Sequence, residues 1–295
     1  MSQFRAKKIF VSGSSGQLGN EIRKISISSP YEFIFLSRDQ LDLSSDDEIE
    51  ELFQTNDFDY FLNCAAYTKV ELAESFPEKA QAINHLAVKK IAEMCKIKNV
   101  CLIHISTDYV FDGQLGKPYS EDAECNPINH YGSSKRDGEI AIRNVSPSAF
   151  IIRTSWLYSF HGINFINKII QKSRVSNSIR VVSDQIGSPT FAEDLANVVL
   201  EIIDFNESHN KRDGVELFHY SNHGFCSWND FATEAFRILK VNCKIESITT
   251  NQLESKLERP MNSALDTEKI SEKLGIIIPS WKVSLESFLL RNYKA

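Results

Sequence analysis

The chain lacks a membrane-length apolar run, a CxxC pair, histidines at metal-ligand spacing and any excess of positive charge. Each absence removes a class of function. Without about twenty consecutive apolar residues, no transmembrane helix is expected. Met1 to Lys8 includes basic residues but no apolar stretch ahead of the first strand, so no signal peptide is expected. The six cysteines, at 64, 95, 101, 125, 226 and 243, follow no regular spacing. They read as reduced cytosolic thiols and not as a disulfide framework. A net charge of −6, spread along the chain, argues against nucleic acid as the main partner. It leaves room for a local basic pocket for phosphates. Neither an internal repeat nor a low-complexity stretch is present. His104 lies in an apolar strand and reads as a satisfied core histidine.

What is there is an alternation. With 295 residues, 42% apolar and 24% charged, the chain suits one large α/β domain or two lobes. Short apolar runs at 8–12, 33–36, 60–65, 101–106 and 150–154 read as strands. Between them, 17–25, 46–53, 78–96 and 131–144 carry helical patterns. Strands alternating with helices predict right-handed βαβ units and a doubly wound parallel sheet. The pattern then loosens. Helices are expected at 164–172, 191–203, 228–239 and 283–292, an extended piece at 179–183 and one more sheet strand at 218–221. The expected division is a Rossmann-type dinucleotide domain over 1–158 and 190–221, and a smaller C-terminal substrate lobe over 159–189 and 222–295.

Three stretches carry chemistry. Gly13-Ser14-Ser15-Gly16-Gln17-Leu18-Gly19 follows an apolar strand and opens a helix, the context in which GxxGxxG has meaning. Gly13 permits a tight turn, Gly16 lets backbone approach a pyrophosphate, and Gly19 lets helix and strand pack closely. The anion would rest on the N–H groups of Ser15, Gly16, Gln17 and Leu18. The second strand ends in Leu36-Ser37-Arg38, with no carboxylate for a ribose 2′-hydroxyl. Arg38 suits a 2′-phosphate through a charge-assisted fork, which favours NADPH and leaves NADH as the alternative. Asp42 and Leu43 are candidate adenine-side contacts, or Asp42 caps a helix. Tyr131 and Lys135, four residues apart, can leave one helix face together. An ammonium beside a phenol favours the phenolate, and such a tyrosine exchanges protons with a carbonyl or alcohol oxygen. Ser106 to Gly113 follows the fourth strand, where a hydroxyl can donate to a substrate carbonyl. Together these features point to hydride transfer at a carbonyl.

The glycine turn, the hydroxyl after strand four and Tyr-x-x-x-Lys resemble the extended short-chain dehydrogenase/reductase superfamily. Ser106–Gly113, Tyr131–Glu139, Arg153–Tyr158, Asp184–Thr190 and Arg259–Ser263 are similar to the dTDP-4-dehydrorhamnose reductases, over about residues 7–290. The resemblance implies an NADPH-dependent enzyme of dTDP-rhamnose biosynthesis that reduces the C4 keto group of dTDP-4-dehydro-L-rhamnose. It implies a catalytic set of Thr107, Tyr131 and Lys135, with Lys135 also holding the nicotinamide ribose. Asn63, Ala65, Ala66 and Tyr67 would lie along the cofactor. Asp108, Tyr109 and Trp156 would border the sugar, and Asn164, Gln185, Pro189, Thr190 and Arg259 would line the nucleotide-diphosphate site. A sibling reductase of another 4-keto nucleotide sugar shares these features. So does a non-catalytic regulatory subunit like that of methionine adenosyltransferase, although it differs at Arg153–Tyr158 and Asp184–Thr190. Members can also form a homodimer around a divalent ion held by three glutamates per subunit. Glu21 and Glu193 match two of these, but Arg291 stands at the third, which argues against a Mg2+ link here.

Overall fold

The protein is described by a computed structural model that covers residues 5–209, 214–253, 255 and 257–293. β1 (Lys8–Ser12), α1 (Gln17–Ser26), β2 (Glu32–Phe35), α2 (Asp46–Thr55) and β3 (Tyr60–Asn63) open the chain. Two short helices follow, α3 (Val70–Ser75) and α4 (Pro77–Gln81), then a π-helical turn (Ala82–Leu86) that runs into α5 (Ala87–Lys98). β4 (Cys101–Thr107), α6 (His130–Val145) and β5 (Ala149–Thr154) complete this half. The second half contains β6 (Leu157–Tyr158), α7 (Phe165–Ser173), β7 (Ser178–Val182), β8 (Ile186–Gly187), β9 (Thr190–Phe191) and α8 (Ala192–His209). Then come β10 (Val215–His219), β11 (Cys226–Ser227), α9 (Trp228–Leu239), β12 (Lys244–Ile248), α10 (Glu268–Leu274) and α11 (Trp281–Asn292).

The main sheet has the order β10-β5-β4-β3-β1-β2, and every neighbouring pair is parallel. Side chains alternate across a strand, so β1 feeds two cores. Phe10 joins Phe53, Phe61 and Ile91 under α2, α5 and α6. Ile9 and Val11 join Leu18, Ile22, Val199 and Ile203 under α1 and α8. Burial on both faces is why these strands read as continuous apolar runs. A third cluster, with Tyr158, Ile166, Phe191, Phe231, Trp281 and Phe288, is drawn from 158–191 and 226–289.

The predicted sheet strand at 218–221 is β10, which starts earlier and pairs with β5 at the sheet edge. The helix expected over 78–96 is interrupted by the π turn, which brings Asn84 against α6. A Cβ on Gly138 would meet the Asn84 carbonyl oxygen at 2.2 Å. The extended piece at 179–183 pairs in parallel with β12, a strand too polar on its exposed side to be anticipated.

Candidate active site

From β1 the sheet grows outward to β2 on one side and to β3, β4, β5 and β10 on the other. The crevice at such a switch point is where doubly wound sheets bind ligands. The glycine turn sits there. Gly13 adopts φ +67°, and a Cβ on it would meet the Ala65 backbone nitrogen at 2.6 Å. A Cβ on Gly19 would meet the Gly13 carbonyl oxygen at 2.5 Å. Gly16 donates to that same carbonyl at 2.9 Å and caps α1 without any side-chain hydrogen bond. The first N–H groups of α1 are thus left for an anion. A groove of about 600 Å³ runs from this turn, lined by Gly13, Ser15, Arg38, Asp42, Leu43, Ala65, Ala66 and Tyr67, together with Lys69, Phe76 and Lys79. Its shape, its glycine cradle and its uncapped helix fit a dinucleotide.

Three of the anticipated cofactor residues serve the fold as well. Leu18 is buried in the sheet core. Gln17 reaches away from the groove, donating to the Leu157 carbonyl and accepting from Asn164. Asn63 is buried, accepting from Ser12 Oγ at 2.7 Å and from the Ala65 N–H at 3.2 Å. At the far end of the groove the Arg38 side chain is 82% exposed and 3.9 Å from Asp42. Asp42 does not cap α2; Ser45 does, accepting from the Glu48 N–H. Asp42 instead accepts from the Ser44 N–H and hydroxyl, which lower its pKa.

β4 and α6 bring the chemistry together. Thr107 ends β4, and Asn129 caps α6 by accepting from the Gly132 N–H at 2.8 Å. Gly132 lets the helix press on the turn after β4; a Cβ there would lie 2.0 Å from the Tyr109 carbonyl oxygen. That approach lets the Thr107 hydroxyl hydrogen-bond the Tyr131 phenol. Burial pushes the phenol well above its ordinary value, with Thr107 opposing and Asp108 and Tyr109 adding to the rise. The sequence predicts a lowered phenol, because Lys135 stands one turn away. In the fold the Lys135 ammonium nitrogen turns down instead, donating to the Ile105 carbonyl at 2.7 Å and lying 3.2 Å from His104 Nε2. Burial pushes Lys135 down to about 8, with Glu139 and Cys64 pulling it up. Burial likewise pushes Asp108 up to about 6, with the Ser263 and Thr107 hydroxyls opposing.

Beneath Lys135, Glu139 takes a bidentate bond from Arg153, with Nη2 at 2.6 Å and Nε at 2.9 Å, and also accepts from Ser106. Arg153 further contacts His219 and Cys125. The sequence reading does not find this pair. Its only signal is that Glu139 lies four residues past Lys135, on the same helix face.

The substrate candidates divide. Tyr109 lies edge-on to Tyr131, with ring centroids 5.7 Å apart. Arg259 hydrogen-bonds Tyr109 and pairs with Glu71 of α3 at 3.0 Å. Trp156 has φ +46°, strained for a non-glycine residue, and stacks on Trp228 at 3.5 Å. No sequence signal points to Trp228 as its partner. Asn164 caps α7 and bonds Gln17 and the Ser159 carbonyl. Gln185 donates to Thr250, Thr190 accepts from Thr154, and the Pro189 carbonyl accepts from the Asn222 N–H.

The carboxylates matched to a metal link do not fit one. Glu193 is taken by Arg291 at 2.8 Å and by Lys24. Glu21 is 4% exposed, and burial raises its pKa, which disfavours the charged form a cation needs. Among the described residues, no group of three or more His, Cys, Asp or Glu is arranged to hold a metal ion.

Residues 7–294 match the RmlD substrate binding domain family. The spore coat polysaccharide biosynthesis protein SpsK of Bacillus subtilis is 36% identical, covering 98% of this chain and 99% of that one. The dTDP-4-dehydrorhamnose reductase of Sinorhizobium fredii is 34% identical, covering 94% of this chain and 95% of its own. A crystal structure of dTDP-4-dehydrorhamnose reductase from Bacillus anthracis in complex with NADP superposes with a TM-score of 0.91 at 31% identity, covering 97% of this chain and 100% of that one. A glycine cradle at the switch point of a parallel sheet, a Tyr-x-x-x-Lys helix beside it and an end-to-end match lead to one conclusion: the chain belongs to the dTDP-4-dehydrorhamnose reductase family.

Proposed function

We propose that this protein reduces the C4 keto group of dTDP-4-dehydro-L-rhamnose to give dTDP-L-rhamnose. The observation that carries the reading is the contact of Thr107 with Tyr131 at the end of β4 and the first turn of α6, with Lys135 one turn further along the same helix. NADPH, when bound, would supply the hydride. Gly13, Ser15 and Gly16, with the N–H groups of Gln17 and Leu18, would hold its pyrophosphate, and Arg38 its 2′-phosphate. Thr107, whose hydroxyl donates to Asp108 Oδ1 at 3.0 Å, would turn that proton to the sugar carbonyl oxygen. Tyr131 would then pass its proton to that oxygen as negative charge develops there. A raised phenol pKa keeps the proton in place until the oxygen becomes basic. Lys135, as an ammonium turned from the Ile105 carbonyl towards Tyr131, would favour the phenolate left behind.

Arg259 would bind the sugar-nucleotide diphosphate after leaving Glu71, with Tyr109 and Trp156 bordering the sugar. Asn164, Gln185 and Thr190 spend their polar groups on the protein, so they would shape the pocket wall and not grip the ligand. Segments 159–189 and 222–295 would form this lobe. No helix among the described residues is long and apolar enough to cross a membrane. None of the six cysteines is in a disulfide, which supports a cytosolic setting. A homodimer, if formed, would need no metal link.

NADPH oxidation over a panel of 4-keto nucleotide sugars, with NMR of each product, tests the reading. Turnover of the dTDP-linked 4-keto-6-deoxyhexose to the rhamno product is expected. Turnover of a different sugar alone would move the chain to a sibling reductase. No turnover with any sugar would sink the reading and favour a regulatory subunit.

A further inference from the structure

One buried chain of hydrogen bonds lies under the catalytic lysine and is not used by the mechanism above. It crosses three strands, from Ser12 on β1 through Asn63 on β3 and His104 on β4 to Lys135 on α6. Its polarity can be read from one end. The Ala65 backbone N–H, which can only donate, faces Asn63 Oδ1 at 3.2 Å. The carbonyl oxygen of the Asn63 amide is therefore the end turned towards Ala65 and Ser12. Its NH2 group is the end 3.2 Å from His104 Nδ1.

Nδ1 must then accept, so a neutral imidazole carries its proton on Nε2. His104 is fully buried, and desolvation followed by the neighbouring lysine holds its pKa well below the usual 6.5. The ring is accordingly neutral, and its Nε2–H points at Lys135 Nζ, 3.2 Å away. A second donor, an ammonium N–H, has no acceptor on that side. The amine has a lone pair there, and it still donates to the Ile105 carbonyl. The groups that face Lys135 are His104 and the Ile105 carbonyl from β4, Cys64 after β3, and Glu139 from its own helix. Glu139 is already neutralised by Arg153.

We propose that His104 is a positioning residue for Lys135: held as the Nε2–H tautomer by Asn63, it disfavours the ammonium and sets the pH at which the lysine gains its proton. The proposal rests on the reading that Lys135 serves the reduction as an ammonium. Burial already pushes Lys135 down to about 8, and the donor facing it from His104 acts in the same direction, so kcat should fall as pH rises through a lysine step well below the ordinary lysine value of about 10.4.

Two substitutions probe it from opposite ends. His104→Gln can offer Lys135 a carbonyl oxygen. Asn63→Asp keeps the acceptor for Ala65 and Ser12 but places a carboxylate oxygen at Nδ1, which draws the imidazole proton there and frees Nε2 to accept. Both should move the alkaline limb of kcat upward by about one unit or more. A structural role alone would lower activity or stability and leave the limb where it was. Should the glutamine variant fail to fold, Asn63→Asp carries the same prediction. 15N NMR of the His104 ring in the unsubstituted, cofactor-free protein is independent of turnover. A protonated Nε2 and bare Nδ1 are expected. The opposite tautomer, or alkaline limbs in the variants that coincide with the parent's, would overturn the proposal. A correct tautomer in a protein without turnover would instead count against the functional reading.

Discussion

The two ends of the cofactor groove are built in opposite ways. Under the turn that carries Thr107 and Tyr131, Lys135, Glu139, Arg153, His104 and Asn63 are each 2% exposed or less, and every one of them has at least two hydrogen-bond partners. At the end proposed for adenosine, Arg38 stands almost fully in solvent, with one carboxylate at 3.9 Å. The first arrangement fixes atoms to a fraction of an ångström, as proton transfer requires. The second keeps a long side chain free to meet a phosphate that arrives with the ligand. Buried polar groups are expensive to leave unpaired, whereas exposed pairs are worth little. Substitutions at the first end should therefore act strongly and on several properties, and those at the second weakly and on one.

The largest expected effect is Tyr131→Phe. It removes the proposed proton donor and keeps the ring that packs against Tyr109. A loss of about 10²–10⁴-fold in kcat is expected, with NADPH affinity nearly unchanged, as measured by single-turnover kinetics and cofactor fluorescence titration. A variant that kept more than half its activity would remove this phenol from the mechanism.

Next comes Glu139→Gln, which leaves the Arg153 guanidinium buried without its carboxylate. Removing one partner of a buried pair typically costs about 3–5 kcal/mol. For a chain of this size that corresponds to a fall in Tm on the order of 10 °C by calorimetry. A Tm within about 2 °C of the parent would mean that water reaches Arg153 and that this end of the groove is not the rigid one.

Asp108→Asn should stabilise, and its pH dependence shows why. A buried carboxyl with a folded pKa near 6 and an unfolded value of about 3.9 favours the fold below pH 4 and loses that contribution as pH rises through 6. Replacing it should add about 2–3 kcal/mol at pH 7–8 and almost nothing at pH 4. Equal gains at both pH values would show that packing, not ionisation, is responsible.

The sheet was legible because buried parallel strands print as apolar runs and amphipathic helices as a 3.6-residue period. The glycine turn and Tyr131/Lys135 were legible because their spacing is local. What escaped was set by contacts distant in sequence. Asn84 meets α6 only through a π turn, β12 pairs with a strand more than sixty residues earlier, and Trp156 stacks on Trp228 from a distant part of the sequence. The Tyr131 pKa shift runs opposite to the direction the sequence predicts for the same reason. Helical spacing puts Lys135 near the phenol, but His104 and Ile105, on another element, draw its charge away.

The smallest effect belongs to the exposed end. Arg38→Asp deletes the only arginine lining the groove among the described residues and adds a like charge where a 2′-phosphate would lie. Charge-assisted bonds to phosphate are strong when buried, but Arg38 is in water and its field is screened. A rise of roughly 3–10-fold in Kd for NADPH is expected, with NADH affected about twofold or less. Stability should not change, because the only ion pair lost is the loose one with Asp42. Raising salt should shrink the difference between the two cofactors in the parent and leave it unaltered in the variant. If Arg38→Asp weakened NADH and NADPH alike, the arginine would be a surface residue. The preference for phosphate would then have to come from Lys69 or Lys79, which also line the groove.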